Sequence, residues 1–313
     1  QAMKRKGWCF LMMLIGNPVY KRETMVSSRS FRLALVLLIF NGILALVALL
    51  NMYSTLAQVR VTAEIQYSSF MDLYLFVAVL EFIMLVFIMP ALTAGSISGE
   101  RERQTLDLML STKMTPAQIV MGKLAASLST MILLIISSFP ILALVFVYGG
   151  VTIKDMGMLL ICFGAAALFV GSLGICCSAL FRKSTLSTVA AYGVMGAVVG
   201  GTYGLNQLAL LFSRMPNGAY LVSGGAGLEQ GTSGGFLYLL LINPTVTFIM
   251  TMLRLTGKEQ AGGGIIRWFG THGESFVSHN WVVCSVVIQV VMAMGLIWVA
   301  VNAVTPGHRR RKR

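Results

Sequence analysis

Residues 71–116 read MDLYLFVAVLEFIMLVFIMPALTAGSISGERERQTLDLMLSTKMTP. The first half is an apolar run interrupted by a single carboxylate, and it is long enough to cross a bilayer as an α-helix. The charges then alternate in ERER, residues 100–103, before the chain turns apolar again. This change predicts a membrane-spanning helix that ends in a polar loop, and the loop then leads into another span.

The rest of the chain repeats this alternation. Hydrophobic residues make up 57% of the sequence. Charged residues make up 11%, against roughly 25% in soluble domains. Six apolar runs predict transmembrane helices, at about 31–52, 71–95, 119–148, 156–180, 186–212 and 281–304. The predicted fold class is therefore an all-α membrane protein, in which residues 1–313 form a single transmembrane domain.

The basic residues are placed unevenly along this pattern. Of the 24 Lys and Arg, 18 lie in four clusters that six spans place on the same side of the membrane. Basic loops favour the cytoplasm, so we predict a multi-pass protein of a bacterial cell membrane with both termini cytoplasmic. The tail RRRKR, 309–313, is interpreted as an anchor beside anionic lipid, and nucleic acid is not expected as a partner.

A seventh and weaker apolar stretch, 236–256, is divided by Asn243-Pro244. Asn favours the N-cap of a helix and Pro favours its first turn, so two short helices are expected to meet there. A full span would place the basic tail outside. We therefore predict a re-entrant or interfacial helical hairpin before the sixth span, within an extracytoplasmic loop at 213–280.

Two predicted elements lie on the cytoplasmic side. Residues 1–30 contain Asn17-Pro18, which predicts the start of a helix along the membrane surface. The loop 96–118 is expected to contain one short helix over 99–110, with Arg103 and Asp107 spaced for a weak ion pair. Two interpretations of this loop remain open, because its charges suit either a solvated loop that enforces topology or a docking element for a soluble partner.

A second boundary in this loop is predicted from Thr115-Pro116-Ala117-Gln118. This sequence is typical of an N-cap, a first-turn proline and a capping-box glutamine. The third span is therefore expected to begin as a helix at about Pro116.

The sequence offers no motif for catalysis. Its five Cys and three His lack metal-ligand spacing, and no GxxxxGK[ST] phosphate loop occurs. We therefore predict no enzyme activity and neither a metal nor another cofactor in this chain. If the protein uses ATP, another chain must bind it.

Three glycines and two polar residues stand out within the predicted spans. Glu81 lies about ten residues into the second span, where it either lines a substrate path or joins this span to a neighbour such as the one carrying Asn41. Gly196, Gly200 and Gly204 form a tandem GxxxG pattern in the fifth span. Such a pattern serves helix packing, either within one chain or at a dimer interface.

Several of these motifs resemble the permease subunits of type-2 ABC exporters over about residues 17–305. In that family an Asn-Pro-(x)₄-Glu element precedes the first span, and a Glu-rich coupling helix with a Thr-Leu-Asp core follows the second. The matching residues here are Asn17, Pro18, Glu23, Glu100, Glu102, Thr105, Leu106, Asp107, Leu108, Leu110, Ser111, Thr112, Gly122 and Lys123. Where family members often have Pro directly after the Ser/Thr pair, this chain has Lys113.

The resemblance implies a partner and a mechanism. Two permease chains, identical or similar, would pair, and each would couple to one of two ATPase subunits that bind ATP and Mg. The residues expected to couple to the ATPase are Glu100, Arg101, Glu102, Arg103, Thr105, Leu106 and Asp107. The alternative is a secondary transporter or channel without an ATPase, although buried charges for ion coupling and an inverted repeat are not evident.

Overall fold

The computed structural model describes residues 17–62, 67–111, 114–147, 152–214, 234–255, 277 and 280–305. The predictions for residues 1–16, for the turn at Lys113, for most of the 213–280 loop and for the RRRKR tail lie outside these residues.

Six helices in the described part of the chain are long and apolar enough to cross a membrane, as expected, and the bent pair Gly235–Ile242 and Pro244–Leu255 would add a seventh only if it crossed as one span. They are Leu33–Ser54, Tyr74–Glu102, Pro116–Pro140, Lys154–Leu180, Ser184–Phe212 and Trp281–Val304. The described residues contain no strand, so the all-α prediction is confirmed for them. The protein is therefore a multi-pass membrane protein.

The helices follow one another as α1 (Pro18–Ser28), α2 (Phe31–Thr62), α3 (Tyr67–Ala94), α4 (Ser98–Glu102), α5 (Thr105–Ser111), α6 (Pro116–Val147), α7 (Ile153–Leu180) and α8 (Ser184–Gly196). After a π-helical turn at Ala197–Gly201 come α9 (Thr202–Arg214), a 3₁₀-helix (Gly234–Ile242), α10 (Pro244–Leu255) and α11 (Trp281–Val304). The chain divides into two compact units. The first contains residues 1–156, 167–192 and 292–313, and the second contains 157–166 and 193–291.

The starts of α1 and α6 follow their sequence signals. The Asn17 side chain accepts a hydrogen bond from the Val19 N–H at the start of α1. Thr115 and Gln118 form the predicted capping box before α6, with N···O distances of 3.0 and 3.3 Å. These reciprocal bonds satisfy backbone donors that the first helical turn leaves without partners.

In the first unit, α7 packs closely against the end of α3. A Cβ atom at Gly174 would lie 2.0 Å from the Thr93 hydroxyl oxygen, and one at Gly171 would lie 2.5 Å from the Met89 terminal methyl. A side chain at Gly174 would collide with Thr93, whereas the flexible end of Met89 could move away from one at Gly171. Gly174 in particular therefore lets α7 lie close to α3, as small residues do in membrane proteins.

The fifth span departs from the expected regular glycine pattern, because the π-helical turn lies between Gly196 and Gly204. A π-turn adds a residue to the helical repeat, so the three glycines do not align as they would on a continuous α-helix. Among the described residues, no atom lies within 4 Å of a Cβ built at Gly196, Gly200 or Gly204. These glycines therefore make no close helix contact inside the described chain.

In the second unit, Asn243 separates the 3₁₀-helix from α10, and the two helices meet at 95°. Its side chain accepts from the Thr245 N–H at 2.9 Å, which confirms the predicted N-cap. Its amide also donates to the Val199 carbonyl at 3.0 Å and to the Thr202 hydroxyl at 2.9 Å. Asn243 thus supplies a donor to a carbonyl of the π-turn, where the α-helical bonding pattern is interrupted.

Candidate functional site

The predicted single helix over 99–110 is wrong, because the structure divides it into α4 and α5. Gln104 lies between them with φ of 58°, which is the left-handed region that non-glycine residues seldom adopt. Arg103 and Asp107 consequently lie on opposite sides of the break, so the helical i,i+4 spacing predicted for them does not apply. We call α4, the break and α5 together the ERER segment (Ser98–Ser111).

Three of the four alternating charges contact other helices of the same unit. Arg101 donates to the carbonyls of Ala179 and Phe181, at 3.1 and 3.3 Å, where α7 ends. The Glu102 carboxylate accepts from the backbone N–H and the hydroxyl of Ser184, both at 2.9 Å, where α8 begins. A guanidinium at a helix C-terminus and a carboxylate at a helix N-terminus both match the helix dipole.

The third charge, Glu100, contacts α6. Its carboxylate lies 2.9 Å from the Lys123 ammonium, which is also 3.2 Å from Glu23 of α1. Lys123 is only 4% exposed and Glu100 is 16% exposed, so this ion pair is largely shielded from water, whereas Glu23 is 35% exposed. Glu100, Lys123 and Glu23 form a cluster that we call the Lys123 triad.

The Lys123 triad brings together two motifs that are about 100 residues apart in the sequence. Near Glu23, the Asn17 amide donates to the Gln118 carbonyl at 2.7 Å, and a Cβ at Gly122 would lie 2.9 Å from Val19. The Asn-Pro-(x)₄-Glu element of α1 thus packs on the Gly-Lys pair of α6. Glycine is required at position 122 because α1 lies directly against it.

An apolar core also fixes the ERER segment. Leu106 of α5 is 2% exposed and lies in a cluster with residues of α6, α7 and α11. The cluster consists of Ile97, Leu106, Val120, Leu124, Ile175, Cys176, Ala179, Ala300 and Val304. The start of α4 is held as well, because the N–H groups of Ile97 and Ser98 both donate to the Ser178 hydroxyl at 2.9 Å. Displacement of this segment would therefore move the ends of several spans.

The other face of the segment is exposed. Leu108 is 68% exposed, and Arg103, Thr105, Asp107 and Ser111 are also at the surface. An exposed leucine among polar residues on a firmly held short helix suits contact with another protein. The predicted site residues therefore separate into anchors (Glu100, Arg101, Glu102, Leu106) and surface residues (Arg103, Thr105, Asp107).

The polar residues inside the spans contact α6 rather than each other. Glu81 is 4% exposed and accepts a hydrogen bond from the Ser138 hydroxyl. Asn41 donates to the adjacent Ser137 hydroxyl at 3.0 Å. The two residues thus join α3 and α2, respectively, to consecutive positions of α6.

The comparisons with known proteins agree with these motifs. A family model described as ABC-2 family transporter protein matches residues 49–305. The chain belongs to the ABC-2 transporter family. It is thus a permease subunit of an ABC transporter, a class of membrane component that associates with ABC ATPase subunits. A search of curated proteins found no match.

The ABC-2 match includes the ERER segment and α6 but begins after α1. The contact of α1 with α6 was not expected from the sequence, where Glu23 and Lys123 appeared only as separate parts of a resemblance. One signal in the sequence could have predicted this contact. Lys123 is an isolated charge seven residues into an apolar span, and such a charge needs a partner of opposite sign.

Proposed function

We propose that this ABC-2 permease acts in an ATP-driven exporter. It forms the substrate path as a dimer with an identical or similar chain, and its ERER segment rests on a separate ATPase subunit, two of which serve the complex. These ATPases bind ATP and Mg. When they close, they push the ERER segment and so tilt the spans to which it is fixed.

One observation supports this proposal above the others. The ERER segment is anchored on its inner side to α6, α7 and α8 by Glu100, Arg101 and Glu102, whereas Leu108 is exposed on α5. A solvated loop that merely enforces topology needs no such anchoring. A segment that transmits force needs both a fixed inner side and an exposed outer side.

The topology supports the same proposal. With both termini cytoplasmic, the ERER segment is expected on the side where ATP is available, and the hairpin at Asn243 is expected in the extracytoplasmic loop. The 95° angle between its two helices suits a re-entrant element before the sixth span.

Purification of the tagged chain with its neighbouring gene products tests the proposal. We expect an ABC ATPase to purify with the chain and the complex to hydrolyse ATP. A stable protein that transports its substrate without an ATPase would contradict the proposal and favour a secondary transporter or channel.

Reversal of the charges at Glu100 and Glu102 tests the role of the anchors. We expect the double variant to fold but to hydrolyse ATP without coupled transport, or to lose ATPase association. The physical reason is that Lys123 would face a like charge at position 100, and Ser184 at the start of α8 would lose the carboxylate that accepts its hydrogen bonds. Normal assembly and transport by this variant would refute the lever mechanism.

A further inference from the structure

A cavity of about 500 Å³ lies in the first unit, between α1, the end of α3, the ERER segment and α6. This volume is within the range of roughly 300–1,000 Å³ found for small-molecule sites. The Lys123 triad lines it, and neither the ABC-2 family assignment nor the proposed coupling role requires a cavity there.

The interior of the cavity carries an excess of negative charge. The Lys123 triad has one ammonium and two carboxylates, so its formal charge is −1. The second carboxylate oxygen of Glu100, Oε2, is buried and accepts no hydrogen bond from the described residues. A buried charged acceptor without a donor is costly, so this position favours a ligand group with N–H donors and a positive charge.

The rest of the cavity surface carries charge of the opposite sign. Arg22 of α1 and Arg103 of the ERER segment line it, and both side chains are exposed. Guanidinium groups bind phosphate through paired N–H donors and hold their charge at all physiological pH values. The cavity therefore has a cationic part that suits a phosphate and an anionic part that suits an ammonium.

One wall of the cavity is apolar and continues into the membrane-spanning helices. Val26 of α1, Leu92 of α3 and Ala126 of α6 line it. Val26 is 64% exposed and Leu92 is 38% exposed, so this wall is accessible from outside the chain. A ligand bound at the charged groups can therefore extend an apolar tail along α3 and α6.

We propose that this cavity binds the headgroup of a phospholipid that carries a primary ammonium, as phosphatidylethanolamine does. The phosphate contacts Arg22 and Arg103, the ammonium donates to Oε2 of Glu100, and the acyl chains lie along the apolar wall. This site holds α1 and the ERER segment together through a lipid. It uses Arg103 from the exposed side of the segment, whereas Leu108 does not line the cavity, and lipid binding can be measured without an ATPase.

Three lipids that share the phosphate but differ in the rest of the headgroup test whether the cavity recognises the ammonium. The full chain, purified in detergent with any subunits that accompany it and then delipidated, is titrated with phosphatidylethanolamine, phosphatidylcholine and phosphatidylglycerol. Native mass spectrometry measures the bound fraction. Choline has no N–H donor and glycerol has no charge, so we expect phosphatidylethanolamine to bind about tenfold more tightly than either.

Two variants assign the preference to named residues. Glu100→Gln removes the charge that attracts the ammonium, so it should bring the affinity for phosphatidylethanolamine to that for phosphatidylcholine. Arg22→Gln with Arg103→Gln should weaken all three lipids. Arg182→Gln is the matched control, because Arg182 is exposed but does not line the cavity, and it should change nothing.

Equal binding of the three lipids by the unaltered protein would overturn the proposal, whatever the folding of the variants. Strongest binding of phosphatidylglycerol would also overturn it, since the cavity would then select net negative charge. If the Glu100→Gln variant still prefers phosphatidylethanolamine, the ammonium does not bind at Glu100, and the assignment is likewise refuted.

Discussion

At the scale of single residues, Lys123 connects three elements, because its ammonium pairs with Glu23 of α1 and with Glu100 of the ERER segment. An isolated Lys in an apolar span would carry a large desolvation cost, and Glu23 and Glu100 offset it from two different elements. The sequence indicated that each of these residues belongs to a family motif. It could not indicate that they meet, because about 100 residues separate Glu23 from Lys123 and no local rule relates their positions.

Loss of the Lys123 charge should therefore destabilise the protein. Lys123→Met leaves two carboxylates facing each other, one of them partly buried, and we expect a loss of about 3 kcal/mol of unfolding free energy. Thermal unfolding of the detergent-purified protein measures this loss. In the triple variant with Glu23→Gln and Glu100→Gln, much of the stability should return. A Lys123→Met variant as stable as the unaltered protein would show that the ion pairs contribute nothing.

Glu81 should behave as a hydrogen-bond acceptor between α3 and α6. Glu81→Gln retains a carbonyl oxygen for Ser138, so stability should stay near that of the unaltered protein. Glu81→Leu should lose about 1 kcal/mol, as is usual for one interhelical bond in a membrane protein. The unfolding transition of each variant gives the comparison. If the Glu81→Gln variant is as stable as the unaltered protein but its ATPase activity is no longer stimulated by substrate, Glu81 would instead have a role in the substrate path.

At the scale of elements, the sequence was most informative where a signal is local. Asn17, Asn243 and the Thr115–Gln118 box each act within one turn, and all three start helices as predicted. The break at Gln104 was missed because glutamine carries no turn signal. Its positive φ of 58° occurs where the chain passes from α4, which contacts α7 and α8, to α5, whose Leu106 is buried in the core. The π-turn at Ala197–Gly201 was missed because the donor to its Val199 carbonyl comes from Asn243, which is distant in sequence.

Asn243 should be the most sensitive position in the hairpin. Asn243→Ala removes the cap of α10 and the donor to Val199 together, so we expect a loss of about 2 kcal/mol. Asn243→Ser is the matched control, because a serine hydroxyl can still cap α10 but supplies no amide donor to Val199, and it should lose only part of that stability. Thermal unfolding compares the two, and an alanine variant that unfolds like the unaltered protein would contradict this role.

At the scale of the whole molecule, the number of spans followed from composition and length alone, because a bilayer demands about 20 apolar residues per helix. The sequence did not indicate which residues of the ERER segment contact other helices and which are exposed. Its charges alternate evenly along the chain, yet three of them contact α6, α7 or α8, while Leu108 of α5 is exposed. Only the packing of α6, α7 and α8 around the segment determines which charges become anchors.

The most direct test of the coupling mechanism is the effect of Leu108 on ATPase binding. Leu108→Asp places a charge at the centre of the proposed contact without altering Glu100, Arg101 or Glu102, while Leu108→Met keeps an apolar side chain of similar volume. We predict that Leu108→Asp weakens ATPase association at least about tenfold, as expected for a central interface residue, and that Leu108→Met binds normally. Affinity measurement with the purified permease and its ATPase gives the result, and equal binding by both variants would contradict the mechanism.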